Sequence, residues 1–249
     1  MRLFALFCCF STRKYSEIKH ASIMPLMDME PTYKNTISET MIAAKMIDIQ
    51  KTSSDGRMDS AMKEQPFLKE LKTELLRKHP LWIVDISQPR ACYDVMINEI
   101  RINLKITECK YSDNSMNKPS IYFSITGDSN YPYSSTWNDF LDMLTKANRA
   151  NMIKQQRDKS SEYHYLVKNK ATGDVLLKPI FDIHTYISNP SNNLQINWKN
   201  EFDNLDYCVD DKEYLAKVHS LLVCIQKSVK EMIARTNEFA ESDMSFIKK

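Results

Sequence analysis

Residues 93–107 read YDVMINEIRINLKIT, and the fold follows from how this stretch pairs with itself. In its second half Ile100, Ile102, Leu104 and Ile106 alternate with Arg101, Asn103, Lys105 and Thr107. A period of two sends alternate residues to opposite faces of a strand, so one face is apolar and the other polar. A two-residue turn at Asn98-Glu99 sets Ile97 against Ile100 and Val95 against Ile102. Asn-Glu lacks the glycine that such turns prefer. The register nevertheless matches apolar with apolar, and it gathers Asp94, Asn103 and Lys105 on the polar face.

The flanking sequence supplies partners for this hairpin. LWIVDIS (81–87), SIYFSIT (120–126), EYHYLV (162–167), DVLLKPIFDIHTYI (174–187, broken at Pro179) and LQINW (194–198) read as further strands. Helical spacing takes over elsewhere. Asn35–Gln50 carries Ile37, Met41, Ile42, Met46 and Ile49. Phe67–His79 carries Leu68, Leu71 and Leu75, with Pro66 suited to a first turn and Pro80 to a stop. Trp137–Gln155 is a third helix. Tyr214–Thr236 is a fourth, with Leu215, Val218, Leu221, Ile225, Val229 and Met232 on one face. Helices flanking a central mixed sheet define an α/β (α+β) fold. Trp82, Trp137 and Trp198 fall at apolar positions and are assigned to the core.

The expected organisation is a poorly ordered extension over residues 1–30, one domain over 31–236 and a frayed tail over 237–249. Leu3–Phe10 (LFALFCCF) is too short for a bilayer span, which takes roughly 20 residues. No small-residue cleavage site follows it. A start codon assigned too early accounts for this segment better than a signal peptide.

Composition removes whole classes of function. The 249 residues include only 3 glycines, Gly56, Gly127 and Gly173, each alone. No dinucleotide-binding G-x-G-x-x-G, P-loop or G-x-S-x-G elbow can be assembled from them. The 6 cysteines contain no C-x-x-C pair and the 5 histidines no H-E-x-x-H, which argues against a zinc module. Scattered cysteines in a chain of this length fit reduced thiols and a cytoplasmic location. His164, between two tyrosines, and His184, beside Asp182, are read as packed histidines.

The polar face of the hairpin carries chemistry. Asp94 and the backbone carbonyl of Leu104 offer oxygen ligands for a hard cation such as Mg²⁺. Lys105 can lower the pKa of an attacking water or stabilise charge on a phosphoryl transition state. Directly afterwards KYSDNSMNK (110–118) supplies cations, amides and hydroxyls suited to phosphates and base edges. Charge is also segregated. Lys146–Lys170 holds seven basic residues against two acids, while Glu201–Glu213 holds six acids against one lysine. That pattern favours a polyanion-facing side despite a net charge of only +2.

At these residues the chain resembles type II restriction endonucleases with the PD-(D/E)XK nuclease core. The resemblance lies in Tyr93-Asp94, INLKIT (102–107), SDNSMNK (112–118), YFSITG (122–127) and NPSNNLQINW (189–198), and it covers roughly residues 66–235. It implies Mg²⁺-dependent cleavage of both DNA strands at a short specific sequence, a homodimer, and a methyltransferase acting on the same site. It makes Asp94 a metal ligand and Lys105 the catalytic lysine. Asn103 stands where the family has Asp or Glu, so a second acid is expected from the preceding helix, with Glu70 or Glu74 as candidates. Lys110, Ser112, Asp113, Asn114, Asn117 and Lys118 are the expected DNA contacts. The departure at Asn103 leaves two other readings: an inactive sequence-specific DNA-binding protein, and a repair or RNA-processing nuclease of the same core.

Overall fold

A computed structural model describes residues 32–49, 56–88, 91–110, 112–114, 118–131, 136, 138–144, 146, 162–191, 193–204 and 211–243. The expectations for the first 30 residues, Trp137 and most of the basic stretch 146–170 lie outside these. The described residues open with α1 (Tyr33–Met46) and α2 (Gly56–Lys78), then enter β1 (Val84–Ile86), β2 (Val95–Ile97) and β3 (Ile100–Thr107). β4 (Asp113–Asn114), α3 (Lys118–Thr126) and α4 (residues 138–144) follow. The second half contains β5 (Tyr163–Asn169), β6 (Val175–Pro179), a 3-10 turn (Ile180–Asp182), β7 (Tyr186–Asn189), β8 (Asn193–Ile196), α5 (Trp198–Asp203) and α6 (Asp211–Asp243).

Five strands form a mixed sheet in the order β1-β2-β3-β5-β6. Only β3 and β5 run parallel; the other pairs are antiparallel. The β2–β3 register is the one the alternation demands, with Val95 opposite Ile102 and Ile97 opposite Ile100. Asn98 and Glu99 both adopt positive φ (46° and 73°), the requirement of a type I′ turn. Asn98 makes its place tolerable by accepting the Ile83 N–H at 3.0 Å and donating to Thr36 Oγ1 at 3.2 Å. A second sheet, β4-β8-β7, is antiparallel throughout.

Each face of the large sheet has its own core. Ile100, Ile102, Leu104 and Ile106 pack with Leu68, Leu71 and Leu75 of α2 and with Ala43, Ala44 and Ile47 at the end of α1. The opposite face places Tyr163, Tyr165 and Val167 of β5 against α3, β8, Trp198 and the Val218–Leu221–Ile225–Val229 stripe of α6. Each buried Val, Leu or Ile among these contributes about 2 kcal/mol of transfer free energy. The face of β3 that bears Asn103 and Lys105 is therefore covered: Asn103 is buried and Lys105 half-buried.

Four local expectations change. SIYFSIT is helix rather than strand, with Ser120, Ile121, Phe123, Ser124, Ile125 and Thr126 all buried and only Tyr122 half-buried. A segment buried on most sides hides its period, and a short apolar run cannot then be assigned from alternation. Pro119 in the first turn and Gly127 at φ 71°, whose N–H reaches Phe123 O at 2.8 Å, mark its ends. α2 begins ten residues before Pro66, which lies inside it. On α1 the buried stripe is Thr36, Thr40, Ala43 and Ala44, while Ile42 and Met46 face outward. α6 continues to Asp243, past the fraying expected from Asn237. Trp82 and Trp198 are buried as expected.

Candidate active site

Asp94 leaves the hairpin ladder. Its N–H donates at 2.9 Å to Ile102 O, the carbonyl opposite Val95, so two residues of one strand face one of the other. This is a β-bulge, a device that re-aims a side chain. The released carboxylate turns along the strand, and its Oδ2 accepts the Leu104 N–H at 2.7 Å. N–H and C=O of one strand residue lie on the same side, so the Leu104 carbonyl faces Asp94 as well.

Lys105 is the next residue of β3, and burial pulls its ammonium below the usual lysine range. Asp94, Glu64 and Asp113 oppose that shift by their charge. Burial also raises Asp94, against the Leu104 hydrogen bond and the Lys105 charge. Glu64 is raised by burial too, lowered by Lys105 and raised further by Asp94. Three elements thus bring two reluctant carboxylates and one reluctant ammonium close enough to perturb one another: α2, the bulge before β2, and β3. Perturbation of this kind, with both signs in one place, is characteristic of reactive sites.

Glu64, rather than Glu70 or Glu74, lies close enough to Asp94 and Lys105 to feel their charges, and those two are not brought there. Glu70 is exposed, and Glu74 binds Arg77 at 2.8 Å. The reason is the helix start. With α2 begun at Pro66, Glu64 is a loop residue; with it begun at Gly56, Glu64 continues the inward stripe of Leu68, Leu71 and Leu75 by one more turn. A carboxylate at a core-facing position was the available signal. The early part of α2 is held by buried Asp59, which pairs with Lys63 at 3.0 Å and with Lys170 at 3.2 Å.

Asn103 is buried, and its Oδ1 has no hydrogen-bond partner. Its amide helps hold the Tyr163 hydroxyl, which also donates to Cys92 O at 2.9 Å. Asp113, an expected DNA contact, accepts from the Thr107 hydroxyl and pairs through its backbone with Ile196. Asn114 pairs with Gln195. Lys110 is exposed and binds Glu108 at 2.7 Å, and Ser112 is half-buried. Lys118 opens α3 with its ammonium 5.8 Å from the Phe140 ring centroid, and burial lowers its pKa. Asn117 lies outside the described residues. His164 is a satisfied core histidine, bonded to the Tyr33 hydroxyl and Glu162 O.

No family model matches the chain, and no curated protein matches it significantly. No helix of the described residues is long and apolar enough to cross a membrane.

Proposed function

We propose that the protein is a Mg²⁺-dependent, site-specific DNA endonuclease of the PD-(D/E)XK type. The observation that carries this reading is the proximity of Glu64, Asp94 and Lys105, which perturb one another's charge while burial shifts each away from its charged form. Among the described residues no three His, Cys, Asp or Glu side chains form a metal set. Mg²⁺ keeps much of its water shell, however, and typically uses only one or two carboxylates. Two repelling carboxylates and all-oxygen donors suit such an ion. Glu64, Asp94 and the Leu104 carbonyl would hold it. Bound there, it would neutralise charge on a scissile phosphate and acidify water.

The chain's own residues do the rest. The bulge fixes the Asp94 carboxylate through Leu104 N–H, so its orientation is set before substrate arrives. Lys105 Nζ, desolvated, exchanges its proton more readily than a surface lysine and can take one from an attacking water or steady charge on a phosphate oxygen. With Glu64 supplying the second acid, the amide at Asn103 does not compel the inactive-binder reading. A homodimer on a palindromic site, a cognate methyltransferase and a cytoplasmic location belong to the same proposal.

Plasmid cleavage tests it. Discrete fragments are expected with Mg²⁺ and none with chelator or with Asp94→Ala. Sequence-specific gel shifts without cleavage in any divalent metal would favour the inactive binder. A preference for flaps, ends or RNA would favour the repair or processing nuclease.

A further inference from the structure

A second constellation lies away from Asp94 and plays no part in the proposed chemistry. Lys178 of β6 and Glu201 of α5 are completely buried and paired at 2.9 Å. Such pairs rarely justify themselves by stability, because desolvation offsets their attraction. Their hydrogen bonds converge on one short segment. Glu201 Oε1 accepts from His184 N at 3.0 Å, Thr185 N at 2.8 Å and Thr185 Oγ1 at 2.7 Å. Lys178 Nζ also donates to Asn204 O at 2.9 Å and lies 3.1 Å from His184 Nδ1.

His184 Nδ1 also lies 3.4 Å from Glu201 Oε2, but the three hydrogens of the Lys178 ammonium, which has no lone pair, match its three partners Glu201 Oε2, Asn204 O and His184 Nδ1. At the shorter contact Nδ1 accepts, and the imidazole carries its proton on Nε2. His184 thereby keeps an N–H on Nε2, and about a quarter of its side chain is exposed. It lines a cavity of about 230 Å³ with Ile183, Tyr186 and one face of α6, which contributes Glu213, Lys217 and Ser220. Lys217 is positioned by donating to Asp182 O at 3.3 Å.

The lining selects a ligand class. Glu213 and Lys217 cancel in charge, which favours a neutral ligand over an anion. A carboxylate has about four acceptor sites, so the wall offers acceptors beside the donors of His184 and Lys217. Ile183 and the Tyr186 ring favour a planar, partly apolar body. We infer that the cavity between the 3-10 turn and α6 binds a planar cyclic amide, in which a ring N–H adjoins a C=O, as in guanine or uracil. The ring N–H donates to Glu213, and the carbonyl accepts from His184 Nε2–H. Adenine and cytosine lack the ring N–H beside a carbonyl and should be refused.

Calorimetric titration of the full chain with guanosine, uridine, adenosine and cytidine tests this. Guanosine and uridine should bind saturably, at least tenfold more tightly than the other two. Glu213→Gln and His184→Ala should each weaken binding at least tenfold, with His184→Gln, which keeps a donor, recovering part of it. An oligonucleotide bearing one unpaired guanine distinguishes a base within nucleic acid from a free nucleoside: tighter binding than guanosine, still dependent on His184, assigns the former. Equal binding of adenosine and guanosine, binding insensitive to both substitutions, or no binding of any nucleoside or of the oligonucleotide would overturn the inference. Plasmid cleavage by His184→Ala, assayed in parallel, separates failure of this site from failure of the nuclease reading.

Discussion

Asp94 and Glu64 carry carboxylates whose folded-state pKa values burial raises above those of the unfolded chain. The folded protein then holds their protons more tightly, so their stabilising contribution is complete below the unfolded carboxylate range and is lost as pH rises through the folded values. At neutral pH they oppose folding of the metal-free protein. Asp94→Asn and Glu64→Gln should therefore abolish cleavage while raising the melting midpoint, by about 2–4 °C for each kcal/mol relieved in a domain of this size. Calorimetry on the metal-free variants checks this, and a lowered midpoint in both would contradict it. The same shifts make protons compete with the cation. Half-saturating Mg²⁺ should rise as pH falls, beginning above the range where exposed carboxylates titrate, and cleavage titrations at a series of pH values measure it.

At the scale of elements, two backbone positions set the hairpin and α3. Glu99 sits at φ 73°, where a side chain is strained, and it is exposed. Glu99→Gly should stabilise the chain by about 1 kcal/mol in denaturant unfolding. Gly127 is the reverse case. A Cβ there meets nothing within 4 Å, but φ is 71°. Gly127→Ala should cost about 1 kcal/mol from conformation alone, without a clash. The hairpin was legible because one of its faces is apolar and its partner's apolar residues fit the register. α3 was not, since burial on most sides erased its period, and the punctuation by Pro119 and Gly127 was the better guide. α2 was half legible: its leucine stripe was read, and its first ten residues, with Glu64 among them, were cut off at a proline that the helix accommodates.

Across the whole molecule, Lys178 and Glu201 join the large sheet to α5 and to the segment entering the small sheet. Lys178→Met alone leaves a buried carboxylate unpaired and should cost about 3–5 kcal/mol. Lys178→Met with Glu201→Gln should cost less than the sum of the two single changes, and a double-mutant cycle by chemical unfolding measures that coupling. Additive costs would mean that the two side chains act independently.

Local pattern by itself determined the β2–β3 hairpin, its register, the placement of Asp94 near Lys105, and the amphipathic C-terminal helix. Each depends on residues a few positions apart, where a period of 2 or 3.6 translates directly into a face. Tertiary structure decided that the polar face of β3 is covered, that the bulge turns Asp94 toward Leu104, and that Glu64 rather than Glu70 or Glu74 meets them. Those outcomes depend on how α2 lies across the sheet, and a helix's path over its neighbours is set by the summed packing of residues far apart in the chain, which spacing along the sequence does not encode.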